Sequence, residues 1–359
     1  MKEKVGIGFI GSGFARRVQI PGFLASEAAE LVSVASGTLA NAEATAKEFG
    51  IGHFTDDWRE TISRNDVDLV CITTPPHLHH EMALAAIAKG KHVLAEKPMA
   101  MSVAEAEEMK AAADAAGVLA LIDHELRFLP GRQKAKAMLH DGAIGKVRHA
   151  KYIFQAPHRG DPEQPWDWWS DNAAGGGALG AINSHAIDSF HWFLETDISS
   201  VLCQLQTHVK QRPEGDSMRE VTTDDQANMM LRFADGSLTE DATGLVSVSM
   251  IEGPEYRNRI EFVGSEGWLR VGHRGDVHIA KRDETEMTAV DVEYPPSVDG
   301  VPETGFPSGF MAFAPKIVEA IRTGNFDLQN AATFADGVKV QTVLDAARQS
   351  DLTGKLVKI

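Results

Sequence analysis

The sequence predicts an α/β domain built on a doubly wound parallel sheet, followed by an α+β domain with a large, mostly antiparallel open sheet. Three observations carry that prediction. Short apolar runs alternate with helical patterns through the first third of the chain, and a glycine turn stands directly after the first run. Beyond about residue 125 the strand-like segments lengthen and follow one another without helices between them. A chain of 359 residues is long enough for two domains, which we place at 1–124 and 125–359.

In order, the apolar runs are Val5 to Ile10, Leu31 to Ser36, Asp68 to Thr73, His92 to Ala95 and Leu119 to Ile122. The helices between them have legible ends. Ser102-Val103-Ala104-Glu105 has the form of a capping box, and Gly117 suits the left-handed position that closes the helix it opens. A second helix runs from about His79 to Lys89 and stops at Gly90. Pro21 falls inside the first helical stretch, so a break is expected near Ile20. In the second part, Val147–Phe154, Val201–Val209, Ala227–Phe233, Ser237–Val248 and Arg259–Val263 read as strands, with a polar loop from Asp283 to Gly305. Such an open parallel sheet takes its ligands at the C-terminal ends of its strands.

Composition narrows the function classes. A formal charge of −16 argues against nucleic acid or an anionic membrane as partner. No apolar stretch approaches the roughly 18 residues that span a bilayer. The N-terminal Met1-Lys2-Glu3-Lys4 runs straight into a strand, so no signal peptide is expected. Cys71 and Cys203 sit in apolar runs without metal spacing, which fits a reducing compartment, the cytoplasm.

The first candidate site is Gly11-Ser12-Gly13-Phe14-Ala15-Arg16, directly after the first strand. Glycine there permits a tight turn and close approach of backbone to a pyrophosphate, with a helix N-terminus behind it. This is the Rossmann arrangement, although Arg16 stands where the third glycine of the fingerprint belongs. After the second strand come Ser36-Gly37-Thr38, neither acidic for a ribose hydroxyl nor basic for a 2′-phosphate. The cofactor is therefore NAD or NADP, and the lack of an acidic residue leans to NADP. Thr74, Pro75 and His79 follow the third run, where His77, His79 and His80 lack the companions of a zinc site. No metal is expected. Glu96-Lys97-Pro98 follows the fourth run, at the ligand edge of the sheet. A lysine there can serve as acid/base or polarise a C–O group.

Further on, Gly175-Gly176-Gly177 precedes a helix carrying Asn183, His185 and Asp188, with His185 an acid/base or substrate-orienting candidate. Trp168, in Pro165-Trp166-Asp167-Trp168-Trp169, offers a ring face for a sugar or for packing.

Together these segments resemble the glucose–fructose oxidoreductase and inositol dehydrogenase family, Gfo/Idh/MocA. The resemblance spans the glycine loop, Thr74-Pro75 with His79, "AAIAKGKHVLAEKP" ending at Pro98, and Arg127-Phe128-Leu129-Pro130. It continues through the triple glycine with His185 and Asp188 to the closing "ATFADGVKVQTVLDAARQSDLTG". The resemblance implies hydride transfer between nicotinamide and a carbon of a sugar, sugar derivative or cyclitol. Lys97 matches the family's catalytic lysine and His185 its active-site histidine. Cofactor binding is expected from Gly11, Ser12, Gly13, Phe14, Ala15, Ser36, Gly37, Thr38, Thr74, Pro75, His79, Glu96 and Lys97. Substrate binding is expected from Arg127, Trp168, Asn183 and His185, and homodimers or homotetramers through the C-terminal sheet. The chain departs from the pattern at Ala181, where many dehydrogenases of the family carry aspartate, and at Asn183, commonly glycine. The altered Ala181 position fits a second reading, glycoside cleavage by transient oxidation with tightly held NAD; against a third, a non-catalytic nucleotide-binding regulator, stand Lys97 and His185.

Overall fold

The computed structural model describes residues 3–294 and 304–359, and these fall into two compact units. One takes the chain up to Phe128 together with a segment ending at Val338. The other runs on from Leu129 and closes with Lys339–Ile359.

The first unit holds strands β1 (Val5–Ile10), β2 (Ala29–Ala35), β3 (His53–Thr55), β4 (Leu69–Ile72), β5 (His92–Ala95) and β6 (Ala120–Ile122). They lie parallel in the order β6-β5-β4-β1-β2-β3, the doubly wound Rossmann arrangement. A two-residue strand, Ala332–Thr333, adds antiparallel to β6. Strands β1 and β4 are buried along their whole length, as expected of a parallel sheet covered on both faces. One covering layer comes from helices His79–Ala88 and Val103–Ala116, whose Met82, Ala86, Ala106 and Met109 pack on Val70, Ile72 and Val93. The other comes from Ile20 and Phe23 together with helix Gly305–Thr323, through Phe310, Phe313 and Ile317. The Phe128 and Phe313 rings stack at 4.2 Å. Helix 305–323 therefore belongs to the first unit, although it lies far beyond the expected boundary at residue 124.

The expected helix ends are present. Ser102 Oγ accepts from Glu105 N–H at 3.3 Å, while the Glu105 carboxylate reaches back to the Met101 N–H at 2.9 Å. Gly117 closes that helix at φ 64°. Near Pro21 the first helix changes form: Ala15–Gln19 is wound as a π-helix, and Ile20–Leu24 as an α-helix.

The second unit carries a nine-stranded sheet among the described residues. Its strands are β7 (Val147–Gln155), β8 (Ile198–Gln206), β11 (Gln226–Phe233), β12 (Thr239–Ser249), β13 (Arg257–Gly264), β14 (Gly267–Val271), β15 (Val277–Lys281) and β16 (Thr288–Val290), with Val357–Lys358 at one edge. A separate hairpin pairs β9 (Gln211–Glu214) with β10 (Ser217–Glu220). All neighbours in the large sheet are antiparallel except β7 and β12. The segment expected as a loop from Asp283 holds β16, and residues 295–303 of it lie outside the described residues. Helix Ser184–Leu194 is buried at every position but His191.

Arg127 bears on the closing segment of the first unit. Its guanidinium, 4% exposed as a residue, donates to Asp336 at 3.0 Å and to the Ala331 carbonyl at 3.5 Å. Both contacts lie within the first unit. Burial works against the Asp336 charge, but Arg127 and the N–H and hydroxyl of Thr333 hold its carboxyl below the usual range. A depressed carboxyl adds stability above its unfolded value and loses it as pH falls through the folded one. Asp336→Asn is therefore expected to lose about 2 kcal/mol at pH 7 in urea unfolding, with the gap to wild type closing below about pH 4. Equal stability of the two proteins at pH 7 would contradict the pairing.

Candidate active site

At the C-terminal edge of the first sheet, Gly11 leaves β1 with φ +101°. A Cβ there would meet Thr73 Oγ1 at 2.6 Å and the Thr73 carbonyl at 2.7 Å, so only glycine permits this approach. The Thr73 hydroxyl donates to the Gly11 carbonyl at 2.9 Å and ties the turn to the end of β4. Gly13 faces open space, with nothing within 4 Å of a Cβ built on it. Ser12 and Ser36 share a hydroxyl–hydroxyl bond of 2.8 Å, which joins the glycine turn to the end of β2. Arg16, at the third-glycine position, turns its guanidinium to Glu48 and does not fill the turn. Gly37 is exposed, and the Thr38 hydroxyl accepts from Asn41 N–H at 3.3 Å as the cap of helix Leu39–Phe49. An open glycine backbone ahead of a helix start fits a dinucleotide pyrophosphate.

The three histidines after β4 go separate ways. His77 is exposed, and His80 pairs with Glu108 at 2.9 Å. His79 is fully buried, its two ring nitrogens against the Thr74 carbonyl at 2.8 Å and the Pro98 carbonyl at 3.1 Å. Burial outweighs those carbonyls and lowers its pKa to about 4. His79 thus sits between the loop after β4 and the loop after β5. Thr74 and Pro75 stay partly exposed beside it. No group of His, Cys, Asp and Glu able to hold a metal occurs among the described residues.

Lys97 stands at the end of β5 with a side chain 17% exposed, its Nζ 4.0 Å from Glu96 Oε2. Glu96 turns inward and is only 7% exposed. There it meets Gln19 and Asp123, both fully buried. The Gln19 amide donates to Glu96 at 3.2 Å and to Asp123 at 2.7 Å. Neither Gln19 nor Asp123 is marked by a motif. The available signal for Gln19 was its place between the apolar Val18 and Ile20, next to the exposed Arg16 and Arg17.

In the second unit, Gly177 takes φ +102° against Asp224, whose Oδ1 would lie 2.4 Å from a Cβ. Asp224 in turn accepts from the Leu179 N–H at 2.7 Å and caps the π-turn Leu179–Asn183. That turn and helix Ser184–Leu194 bring Asn183, His185 and Asp188 together, all buried. Neither amide atom of Asn183 has a hydrogen-bond partner among the described residues, as a group awaiting a polar ligand would show. Ala181 is buried in the same turn. Trp168 is 37% exposed and tilted at 49° to Trp169, leaving ring surface open.

The model of the oxidoreductase family with an NAD-binding Rossmann fold matches residues 5–124, and that of the Gfo/Idh/MocA C-terminal domain matches 132–270. An uncharacterized oxidoreductase of Synechocystis sp. is 30% identical over 74% of this chain and 71% of its own. Levoglucosan dehydrogenase of Pseudarthrobacter phenanthrenivorans is 29% identical over 97% of this chain and 96% of its own. A solved structure of levoglucosan dehydrogenase with NADH and L-sorbose superposes with a TM-score of 0.87 at 26% identity, over 100% of this chain and 99% of that one.

The Asp224 cap makes one measurable demand. Burial pushes its carboxyl up to about 6, against the helix-turn N–H that favours the charge. A raised carboxyl holds a proton that the unfolded chain has already released, so stability falls as pH rises from about 4 to 6. Asp224→Asn should gain on wild type across that interval by on the order of 2–3 kcal/mol, read from denaturant midpoints. Parallel pH profiles would remove Asp224 from this role.

Proposed function

This chain belongs to the Gfo/Idh/MocA oxidoreductase family, and from that premise we propose that it moves a hydride between NAD(P) and an alcohol or carbonyl carbon of a sugar, sugar derivative or cyclitol. The observation that carries the reading is Lys97, partly open at the C-terminal end of β5 while its neighbour Glu96 is sealed inside. Gly11, Ser12, Gly13 and the backbone leading to Ala15 hold the pyrophosphate, and Ser36 to Thr38 face the adenosine ribose. Lys97 is the main acid/base: as an ammonium it gives a proton to a carbonyl oxygen, and as an amine it takes one from a hydroxyl. His185 assists or orients the substrate, Asn183 offers its amide to a substrate hydroxyl, and Trp168 offers a ring face. Ala181 stands where many dehydrogenases of the family carry aspartate, so that position supplies no carboxylate for proton transfer.

Three finer points belong to the same reading. The neutral Ser36-Gly37-Thr38 carries no carboxylate to repel a 2′-phosphate, which supports a lean to NADP. The chain pairs as a homodimer or homotetramer through the open face of the large sheet. Met230 and Leu245 stand there as a cross-strand pair, 55% and 36% exposed, with Trp268 on the same face. Cys71 and Cys203 are both free and buried, in keeping with work in the cytoplasm. No described helix is long and apolar enough to cross a membrane.

Lys97→Met is expected to lower kcat by about 10²- to 10⁴-fold on a panel of pyranoses, anhydrosugars and cyclitols, while nucleotide binding by calorimetry is kept. Undiminished turnover would remove Lys97 from the chemistry. In the same calorimetry NADP(H) should bind at least as tightly as NAD(H). A tenfold preference for NAD(H) would end the NADP lean and leave the hydride chemistry standing.

A further inference from the structure

The end of β5 and the residue after β6 bring two carboxyl groups together where water does not reach. Asp123 is fully buried and Glu96 is 7% exposed, and a single side-chain amide reaches both carboxyls. Gln19 spans them with one amide nitrogen, 3.2 Å from Glu96 Oε1 and 2.7 Å from Asp123 Oδ2. The second oxygen of Glu96 looks the other way. It accepts from the Lys97 backbone N–H at 3.3 Å and lies 4.0 Å from Lys97 Nζ. Two carboxyls that share one amide nitrogen and are sealed from water do not both ionise, so one proton stays on the pair.

Which of the two carries it follows from what faces each. Glu96 has the Lys97 amine beside it, which favours the carboxylate form. Among the described residues Asp123 meets the carboxyls of Glu125 and Glu96 and no cation, Glu125 being 1% exposed and placed just beyond β6. From β4 comes Cys71, a buried thiol that these carboxyls and burial hold neutral, and from helix His79–Ala88 comes His79, held neutral by burial. Burial raises both carboxyls above their ordinary range, Asp123 further, with Glu125 and Glu96 adding to its shift.

We propose that Asp123 is a positioning residue for Lys97, holding a proton against Glu96 so that the one negative charge left on the pair is the counter-ion of the Lys97 ammonium. The proposal rests on the reading of Lys97 as acid/base and supplies the groups that set it. It also has a chemical consequence. An ammonium with a fixed counter-ion is ready to protonate a carbonyl oxygen at neutral pH, whereas accepting a hydroxyl proton requires that the ammonium first lose its own. Carbonyl reduction is then favoured at neutral pH, and alcohol oxidation rises towards alkaline pH.

The test reads Lys97 directly and needs no substrate. The pH dependence of Lys97 acetylation by acetic anhydride is followed by peptide mass spectrometry in wild type, Glu96→Gln and Asp123→Asn, each first checked for folding by circular dichroism. In Glu96→Gln the midpoint should fall by about one pH unit, because the counter-charge is gone. In Asp123→Asn, where the amide replaces a protonated carboxyl as donor, it should stay within about 0.3 units. An unmoved midpoint in Glu96→Gln, or any larger shift in Asp123→Asn, overturns the proposal. Should either variant not fold, infrared spectroscopy of wild type in heavy water at pH 8 decides, since the C=O band of a protonated carboxyl is required there and its absence refutes the pair. Turnover by Lys97→Met would refute the functional reading while leaving these titrations intact, so the two failures are separable.

Discussion

A sheet of parallel strands has no face it can leave to water, and the layout of the first unit follows from that constraint. Strands β1 and β4 are apolar on both sides, so each face needs its own helical layer. One layer is made by the helices that connect the strands themselves. The other is too thin when built only from the short helix around Ile20 and Phe23, and it is completed by Phe310, Phe313 and Ile317 from a helix near the C-terminus. With both faces closed, the strand ends at the C-terminal edge are the open part of the sheet. The glycine turn, the Thr74-Pro75 loop and Lys97 all stand there.

That edge is braced from beneath by polar contacts rather than by packing alone. His79 sits between the carbonyls of two neighbouring loops and donates its one N–H there, Thr73 binds the glycine turn, and Gln19 binds the carboxyls below Lys97. Gln19 is the last residue of the π-helical turn that begins four residues after Gly11. The winding that presents a helix start to a dinucleotide thus also carries an amide into the floor beneath Lys97.

Much of this was legible in the residues. Alternating apolar runs, Ser102 with Glu105, and Gly117 mark their elements because each acts locally, through periodicity, a cap and a left-handed backbone. The change from helix-separated to consecutive strands near residue 125 was equally readable. What escaped was non-local. Nothing near Gly305 says which sheet its helix covers, and nothing near Arg127 says that Asp336 is its partner. Short strands such as His53–Thr55 and Thr288–Val290 exist by pairing with neighbours more than by their own propensity. Glu96 and His79 were read by their position at the ligand edge. Whether such a side chain faces out to a cofactor or in to a brace depends on what lies beneath it, and that is fixed by Gln19, Asp123 and the Pro98 carbonyl.

The late return of helix Gly305–Thr323 to the first sheet also sets the order in which a growing chain can finish folding. All six parallel strands have been synthesised by residue 122, yet the aromatic layer over one face is supplied only after nearly two hundred further residues. Until then the nascent sheet carries uncovered apolar surface around Phe9, Phe23 and Phe128. Chaperone demand should therefore be greatest during the translation of the middle of the message, while a protein cut short there would lack the cover its first sheet requires.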